Sequence, residues 1–299
     1  MLRFFVETLP LSALREPGLL LRVARAADGL VLAVRPADLR GLAAVVAAVR
    51  ASGLAVALWP MLENDAGRWC TLANTPAFVD FARECMQGAR AGDALLLDLE
   101  PPWRLLDALA HGRLREAARE LPTFSPARSA LSERRLADFS QELRGAGLEV
   151  HTAEFPWALA HPVVGRVFGV PHLHGSAQRG VMLYTSLLEG YARGLVKRRG
   201  ATDLLRRFGT RALARLGQDV ELQLGAVGAG ALANEPVFRH VRELARDLEL
   251  AVGMGARRIA VFDLGGILRR PDAEDWLETC AYARHLLCQH RPRGARGIP

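Results

Sequence analysis

The chain has 299 residues, of which half are hydrophobic, 6% aromatic and 24% charged, and its formal net charge is +7. This length suits one large domain, and the apolar content is ample for a core. The basic excess is nearly all arginine, with Lys197 as the only lysine. Because no basic stripe is interleaved with aromatic residues, a nucleic-acid partner is not expected.

Short apolar runs alternate with longer amphipathic segments along the whole chain. The longer segments, such as 36–53 and 74–92, carry apolar residues at three- and four-residue steps and end at or near glycine, which predicts helices. The predicted strands are LRFFVE (2–7), LVLAVR (30–35), LAVALWPML (54–62), ALLLDLE (94–100), LEVHTAEF (148–155), GVMLYTSL (180–187), VELQLGAV (220–227) and RIAVFDL (258–264).

Eight repeats of a strand followed by a helix predict a single (β/α)₈ TIM barrel over residues 1–299. A doubly wound open sheet is the alternative, but no G-x-G-x-x-G follows the first strand. Two insertions are predicted: residues 101–147, long enough for two helices, after the fourth strand, and residues 168–180 before the sixth. Additions of this kind commonly shape a substrate cleft. The basic tail at 291–299 is predicted to be flexible.

The four cysteines form no C-x-x-C pair and match no zinc spacing, which predicts reduced thiols. The N-terminal segment contains Glu7 and Pro10 where a signal peptide needs an uninterrupted apolar region, and no apolar run is long enough to span a membrane. No Walker A, G-x-S-x-G, H-E-x-x-H or EF-hand motif occurs. We therefore expect a soluble, cytoplasmic protein without a membrane partner, cofactor or metal.

Polar side chains gather at the carboxyl ends of the predicted strands, where barrel enzymes build their sites. In strand order they are Glu7, Arg35, Trp59, Asp98 with Glu100, Glu154, Tyr184, Gln223 and Asp263. Period-two alternation predicts that most of them face the barrel interior, including the face with Val150, Thr152 and Glu154 and the face with Ile259, Val261 and Asp263. Two structural roles remain open: Asp263 could cap a helix, and Arg35 could pair with Glu7.

Asp98 and Glu100 are the hardest of these residues to assign a structural role, because one helix cap cannot account for both. They lie on the same strand face with Cα atoms about 7 Å apart. Two like charges at this spacing raise the pKa of one carboxyl group, and Glu100 is the predicted protonated partner. Three tryptophans, Trp59, Trp69 and Trp103, could supply flat faces for sugar rings.

The run DALLLDLE, residues 93–100, resembles the D-x-x-D-x-D-x-E signature on the fourth strand of family-18 glycoside hydrolases, the chitinase-like barrels. Asp93, Asp98 and Glu100 match three of its acidic positions, and Leu96 replaces the remaining one. The run VMLYT resembles the family's M-x-Y-D at the sixth strand, with Met182 and Tyr184 matching and Thr185 replacing the acid. The shorter D-x-E is also similar to family-25 lysozyme-like barrels.

This resemblance implies a carbohydrate-active hydrolase that cleaves a glycosidic bond. It implies Glu100 as the general acid, Asp98 as the residue that orients the substrate amide, and Tyr184 as a hydrogen-bond donor to that amide. Glu154 is the predicted second carboxylate if the mechanism is not substrate-assisted. The other strand-end residues are predicted to bind a carbohydrate or another small polar substrate; they are Glu7, Arg35, Trp59, Gln223 and Asp263.

Three alternatives remain open at this point. A metal-dependent barrel of the xylose-isomerase or endonuclease kind could use Glu100, Glu154, His172, His174 and Asp263 as ligands. A non-catalytic carbohydrate-binding barrel is favoured by the replacements at Leu96 and Thr185. The glycine-rich run at 225–234 could bind phosphate through backbone N–H groups, or simply form a tight loop.

Overall fold

Eight parallel strands close into one barrel in the computed structural model, which describes residues 1–159, 162–173, 175, 178–192, 195–230 and 232–289. The strands pair in sequence order, and β1 closes the barrel by pairing with both β2 and β8. Their bounds are β1 Leu2–Val6, β2 Gly29–Val34, β3 Ala55–Pro60, β4 Ala94–Leu99, β5 Glu149–Glu154, β6 Gln178–Met182, β7 Glu221–Gly225 and β8 Arg258–Phe262. The predicted (β/α)₈ fold is confirmed.

Helices surround the barrel and bury one apolar stripe each. On α10, for example, Leu244, Leu248 and Ala251 are buried at steps of four and three residues. The helices are α1 Pro17–Ala26, α2 Leu39–Ala51, α3 Thr75–Cys85, α4 Trp103–Ala110, α5 Leu114–Glu120, α6 Pro126–Gly145, α7 Pro162–Val167, α8 Thr185–Tyr191, α9 Arg198–Leu216, α10 Val241–Gly253, α11 Leu264–Leu268 and α12 Ala273–Gln289. None of the helices in the described residues is long and apolar enough to cross a membrane.

Two local predictions are wrong in detail. The connection at 101–147 holds three helices, α4, α5 and α6, rather than two. The sixth strand ends at Met182, and the apolar residues that follow Tyr184 begin α8. A short apolar run is compatible with either a buried strand or the buried start of a helix, and so the pattern alone cannot place this boundary. The basic tail at 291–299 lies outside the described residues.

The predicted inward faces of β5 and β8 are also wrong. Val150, Ile259 and Val261 belong to the apolar layer between strands and helices, whereas Ala153 and Ala260 belong to the cluster inside the barrel. The strands of a parallel barrel are buried on both faces, so alternation along the chain does not reveal which face points inward. Ala153 and Ala260 face the interior, and the β-branched residues Val150, Ile259 and Val261 face the helices.

A polar network occupies the interior at the amino-terminal ends of the strands. Arg3 donates to both carboxylate oxygens of Glu221, with N–O distances of 2.7 and 2.8 Å, and its Nη1 lies 3.0 Å from His151 Nδ1. His151 Nε2 in turn lies 2.9 Å from Glu149 Oε2, and Gln178 Nε2 lies 3.5 Å from Glu221. Burial, followed by the charge of Arg3, lowers the pKa of His151 to about 2, so the imidazole is neutral at ordinary pH.

Candidate functional site

A cavity of about 610 Å³ lies at the carboxyl ends of the strands. Residues from β1, β3, β4, β5, β6 and β8 line it, together with residues from α4, α8, α9 and the loops after β3, β5 and β7. This is the end at which barrel enzymes carry their sites, and the volume is typical of a site for a small molecule.

Aromatic rings form the floor of the cavity. Phe5 from β1 meets Trp59 edge-on at a centroid distance of 5.3 Å, and it lies 5.9 Å from Phe262. Tyr184, directly after β6, lies 5.7 Å from the same Phe262 ring. Trp59 and Tyr184 therefore line the cavity as the sequence predicts, and Trp69 joins them from the loop after β3.

Four carboxyl groups line the cavity next to this floor, and we call them the acidic cluster: Glu7, Asp98, Glu100 and Glu235. Asp98 is the fifth residue of β4, and Glu100 follows the strand directly, so alternation places both on the inward face. The predicted inward orientation of Asp98 and Glu100 is confirmed. Glu7 follows β1, and Glu235 comes from the loop after β7.

Burial raises the pKa of these carboxyl groups because it disfavours their charged forms. Burial, followed by the charge of Glu7, raises the pKa of Asp98 to about 7. Burial and then the charges of Asp98 and Glu235 raise the pKa of Glu100 well above its ordinary value. Burial also raises the pKa of Glu235 to about 7. At neutral pH the acidic cluster therefore holds both protons and negative charge.

Two polar atoms at the floor are buried without a hydrogen bond of good geometry, Trp59 Nε1 and Asp98 Oδ1. Asp98 itself is only 3% exposed. An unsatisfied buried polar atom costs about 1–3 kcal/mol, so such atoms are rare unless a ligand satisfies them. Trp59 and Glu100 both act on the Asp98 carboxyl group as hydrogen-bonding partners, which lowers its pKa against the larger effect of burial.

Removing the Asp98 charge is expected to stabilise the fold at alkaline pH. In the unfolded chain an aspartate titrates near about 4, whereas in the folded protein Asp98 titrates at about 7. Between these values Asp98 binds more protons in the folded state than in the unfolded state, so its own contribution to stability falls as pH rises from about 4 to 7. The variant Asp98→Asn escapes this loss, and its free energy of unfolding should exceed that of the wild type by about 2–4 kcal/mol at pH 8.

Urea unfolding of both proteins at pH 4 and pH 8 measures this difference, which should nearly vanish at pH 4. Asp80→Asn is the matched control, because the Asp80 side chain is exposed on α3. An Asp98→Asn protein that is less stable than the wild type at pH 8 would contradict the raised pKa.

Arginines hold Glu7 in place from two loops. Arg68 forms an ion pair with Glu7, and Arg35 Nη2 lies 3.9 Å from Glu7 Oε1. The predicted pairing of Arg35 with Glu7 is therefore confirmed, although Arg35 does not line the cavity. Arg68 has a positive φ of 60° and is fixed by a 2.8 Å hydrogen bond to Asn64 Oδ1. Its guanidinium lies 5.3 Å from the ring centroid of Trp103, a distance typical of a cation–π contact.

The glycine-rich loop after β7 carries Glu235 into the site. The Gly230 N–H donates to the Glu235 carboxylate. A Cβ atom at Gly230 would lie 2.5 Å from Phe262 Cζ and 2.8 Å from Glu7 Oε2, so only glycine allows this close approach. The loop therefore presents a carboxylate, which disfavours the phosphate site considered for 225–234.

Arg68 and Glu235 are the site residues that sequence reasoning missed. Each lies several residues beyond a strand end, in a loop without apolar periodicity. The signal available for Glu235 was an acid near the end of a glycine-rich run after a barrel strand, and for Arg68 it was the neighbouring Trp69.

Two predicted site residues, Glu154 and Asp263, face away from the cavity. The prediction that they face the barrel interior is therefore wrong. Glu154 points to the outer side of β5, where Arg179 Nε donates to it at 2.9 Å and Thr152 Oγ1 donates at 2.7 Å. Asp263 caps α11 through a 2.6 Å hydrogen bond from the Gly266 N–H. It also accepts hydrogen bonds from the backbone and hydroxyl of Thr8.

Gln223 does face inward but lies below the cavity floor. Its Nε2 atom is 3.4 Å from Glu221 Oε1, so it belongs to the polar network at the other end of the barrel. It is fully buried and does not line the cavity. We therefore expect a substrate in this cavity not to contact Gln223.

The described members of the ligand set of the metal-dependent alternative do not come together. Glu154 and Asp263 face away from Glu100, the His172 backbone N–H donates to Glu133, and His174 lies outside the described residues. Within the described part of the chain, no group of three or more His, Cys, Asp or Glu side chains has a metal-binding arrangement.

The positions that resemble the family-18 signature divide between the cavity and other places. Asp98, Glu100, Met182 and Tyr184 line the cavity. Asp93 lies at the opposite end of β4, where Arg50 Nε donates to it at 3.1 Å. Leu96 packs inside the barrel, and the Thr185 hydroxyl donates to Asp247 on α10, outside the cavity. The part of the signature that reaches the cavity is thus D-x-E with M-x-Y.

Neither a protein-family model nor a curated protein matches this sequence. The glycoside hydrolase domain of PgaB (BpsB) from Bordetella bronchiseptica superposes with a TM-score of 0.57 at 16% identity, over 93% of this chain and 98% of that one. A GH5 xyloglucanase from Bacteroides ovatus superposes with a TM-score of 0.56 at 11% identity, over 90% and 67% of the two chains. D-allulose 3-epimerase from Methylomonas sp. gives a TM-score of 0.50 at 9% identity, over 97% of each chain. What the chain shares with these enzymes is the barrel fold, and one fold hosts many activities.

Proposed function

We propose that this protein is a hydrolase that cleaves a glycosidic bond at the acidic cluster. The observation that carries the proposal is the pair Asp98 and Glu100, which share one cavity with Glu235 and have raised pKa values. Glycoside hydrolysis requires one carboxyl group that is protonated and a second group that is ionised, or a substrate amide in its place.

Glu100 is the proposed general acid. Its surroundings keep the carboxyl group protonated near neutrality, because burial and then the neighbouring charges of Asp98 and Glu235 raise its pKa. A protonated Glu100 donates its proton to the oxygen of the leaving group as the bond to the sugar breaks. Asp98, directly beside it, sets the electrostatic field at Glu100 and accepts a hydrogen bond from the substrate.

Glu235 takes the place that sequence reasoning assigned to Glu154. It is the carboxyl group that lines the cavity from the loop after β7, while Asp98 and Glu100 come from β4. As the ionised group, it would stabilise positive charge at the sugar carbon or activate the attacking water. Tyr184 would donate a hydrogen bond to the substrate, and Trp59 and Trp69 would supply apolar faces for a sugar ring.

A panel of 4-methylumbelliferyl glycosides of the common hexoses and N-acetylhexosamines tests this proposal. We expect fluorescence release from at least one member, with unchanged rates in the presence of a chelator. Rates that a chelator abolishes would favour the metal-dependent alternative. Thermal stabilisation by a glycoside without turnover of any member would instead favour a non-catalytic carbohydrate-binding barrel.

A further inference from the structure

The outer part of the cavity differs chemically from its floor. We call it the apolar vestibule; its main residues are Leu106, Leu109, Leu187, Leu188, Tyr191 and Phe208. They come from three helices, α4, α8 and α9. The same continuous cavity thus runs from the acidic cluster to an apolar mouth.

The charged side chains belong to the acidic cluster, and the charge of Glu235 reaches Tyr191, whose pKa is raised by burial and then by that charge. Among the described residues that line the cavity, the charged ones are the four members of the acidic cluster, and no Lys, Arg, His, Asn, Gln, Ser or Thr lines it. Of the described residues along the vestibule, Tyr191 alone carries a polar side-chain group, its hydroxyl. A second sugar unit would lose its hydrogen bonds to water there without replacement, which weakens its binding.

The mouth of the vestibule exposes large apolar side chains to solvent. Leu109 on α4 is 46% exposed, and on α8 Leu188 is 38% and Tyr191 39% exposed. Scattered apolar residues are common on protein surfaces, but these three continue the wall of a concave site. An apolar surface continuous with a binding cavity is typical of a ligand site.

We propose that the substrate is an amphiphile whose polar, hydroxylated head lies at the acidic cluster and whose neutral alkyl chain lies in the apolar vestibule. This inference rests on the proposed function for the identity of the head as a glycoside. The chain is neutral because none of the described residues that line the vestibule is a cation that could pair with an anionic chain. The alkyl group is then the leaving group or a substituent next to the bond that is cleaved.

The test uses n-alkyl β-D-glucosides from methyl to decyl, each below its critical micelle concentration, with binding measured by calorimetry. Each methylene buried in the vestibule is expected to tighten binding about 2- to 4-fold. Methyl and octyl glucosides should therefore differ by at least about 10²-fold in dissociation constant. Equal affinity across the series, or no binding up to decyl glucoside, would overturn the proposal.

Charged substitutions at the mouth locate the alkyl chain. Leu109→Asp and Leu188→Asp replace partly exposed residues of the vestibule, so the fold should tolerate them, and they should reduce the gain per methylene to less than 2-fold. Leu131→Asp is the matched control, because Leu131 is 70% exposed on α6 and does not line the cavity. Equal dependence on chain length in all four proteins would indicate nonspecific surfactant binding and overturn the proposal.

Binding and turnover separate this inference from the proposed function. Chain-dependent binding without hydrolysis of any glycoside supports an amphiphile site and contradicts the hydrolase. Hydrolysis of 4-methylumbelliferyl glycosides with no dependence on alkyl chain length supports the hydrolase and contradicts the amphiphile.

Discussion

Replacing Glu100 by glutamine is expected to lower the turnover of a glycoside by about 10²- to 10⁴-fold, the usual contribution of a general acid. Glutamine keeps the shape of the side chain but has no proton to transfer. The loss should be larger for an alkyl glycoside than for a 4-methylumbelliferyl glycoside, because the better leaving group needs less protonation. Steady-state rates with both substrates measure the difference.

The pH dependence of kcat/KM gives a second readout of Glu100. The wild type should be most active above pH 7 and lose activity further to the alkaline side, where Glu100, whose pKa is raised well above its ordinary value, gives up its proton. An acidic limb near pH 7 is expected from the carboxyl groups that must be ionised, since Asp98 and Glu235 titrate at about 7. In the Gln variant the residual activity should lack the alkaline limb.

Glu84→Gln is the matched control for this variant, because Glu84 is exposed on α3 and lies outside the cavity. Thermal melts of both variants check that the barrel is folded. A Glu100→Gln protein with the turnover of the wild type would show that Glu100 is not the general acid.

Replacing Arg3 by methionine is expected to destabilise the barrel by about 3–5 kcal/mol, because it leaves a buried carboxylate without its partner. The side chains of Arg3 and Glu221 are 3% and 1% exposed, and Arg3 makes two short hydrogen bonds to Glu221. The other hydrogen-bond partners of Glu221, Gln178 and Gln223, lie 3.4–3.5 Å away and are uncharged. They cannot replace the lost charge.

Urea unfolding of Arg3→Met at pH 7 measures this loss as a lower midpoint. The double variant Arg3→Met/Glu221→Leu should recover part of the stability, since it removes the unpaired charge together with its partner. If Arg3→Met lowers the free energy of unfolding by less than about 1 kcal/mol, the pair is not a major support of the barrel interior.

The sequence by itself determined the architecture and the centre of the site. Apolar runs alternating with amphipathic segments are local patterns, and eight of them in a chain of this length are best satisfied by a closed barrel. Asp98 and Glu100 could be placed in a site at the carboxyl end of the barrel, because two carboxyl groups at the end of a buried strand are costly unless they belong to a site. Trp59 and Tyr184 followed from their positions at the carboxyl ends of the third and sixth strands.

Only the tertiary structure decided which faces of β5 and β8 point inward, and therefore that Glu154 and Asp263 face away from the cavity. Both faces of a barrel strand are buried, so hydrophobic periodicity has no preferred phase there. Arg68 and Glu235 reach the acidic cluster from loops whose paths depend on contacts between residues far apart in the chain, such as the close approach of Gly230 to Phe262. The pKa values of the cluster have the same origin, since burial and neighbouring charges arise only when separate segments of the chain meet in one cavity.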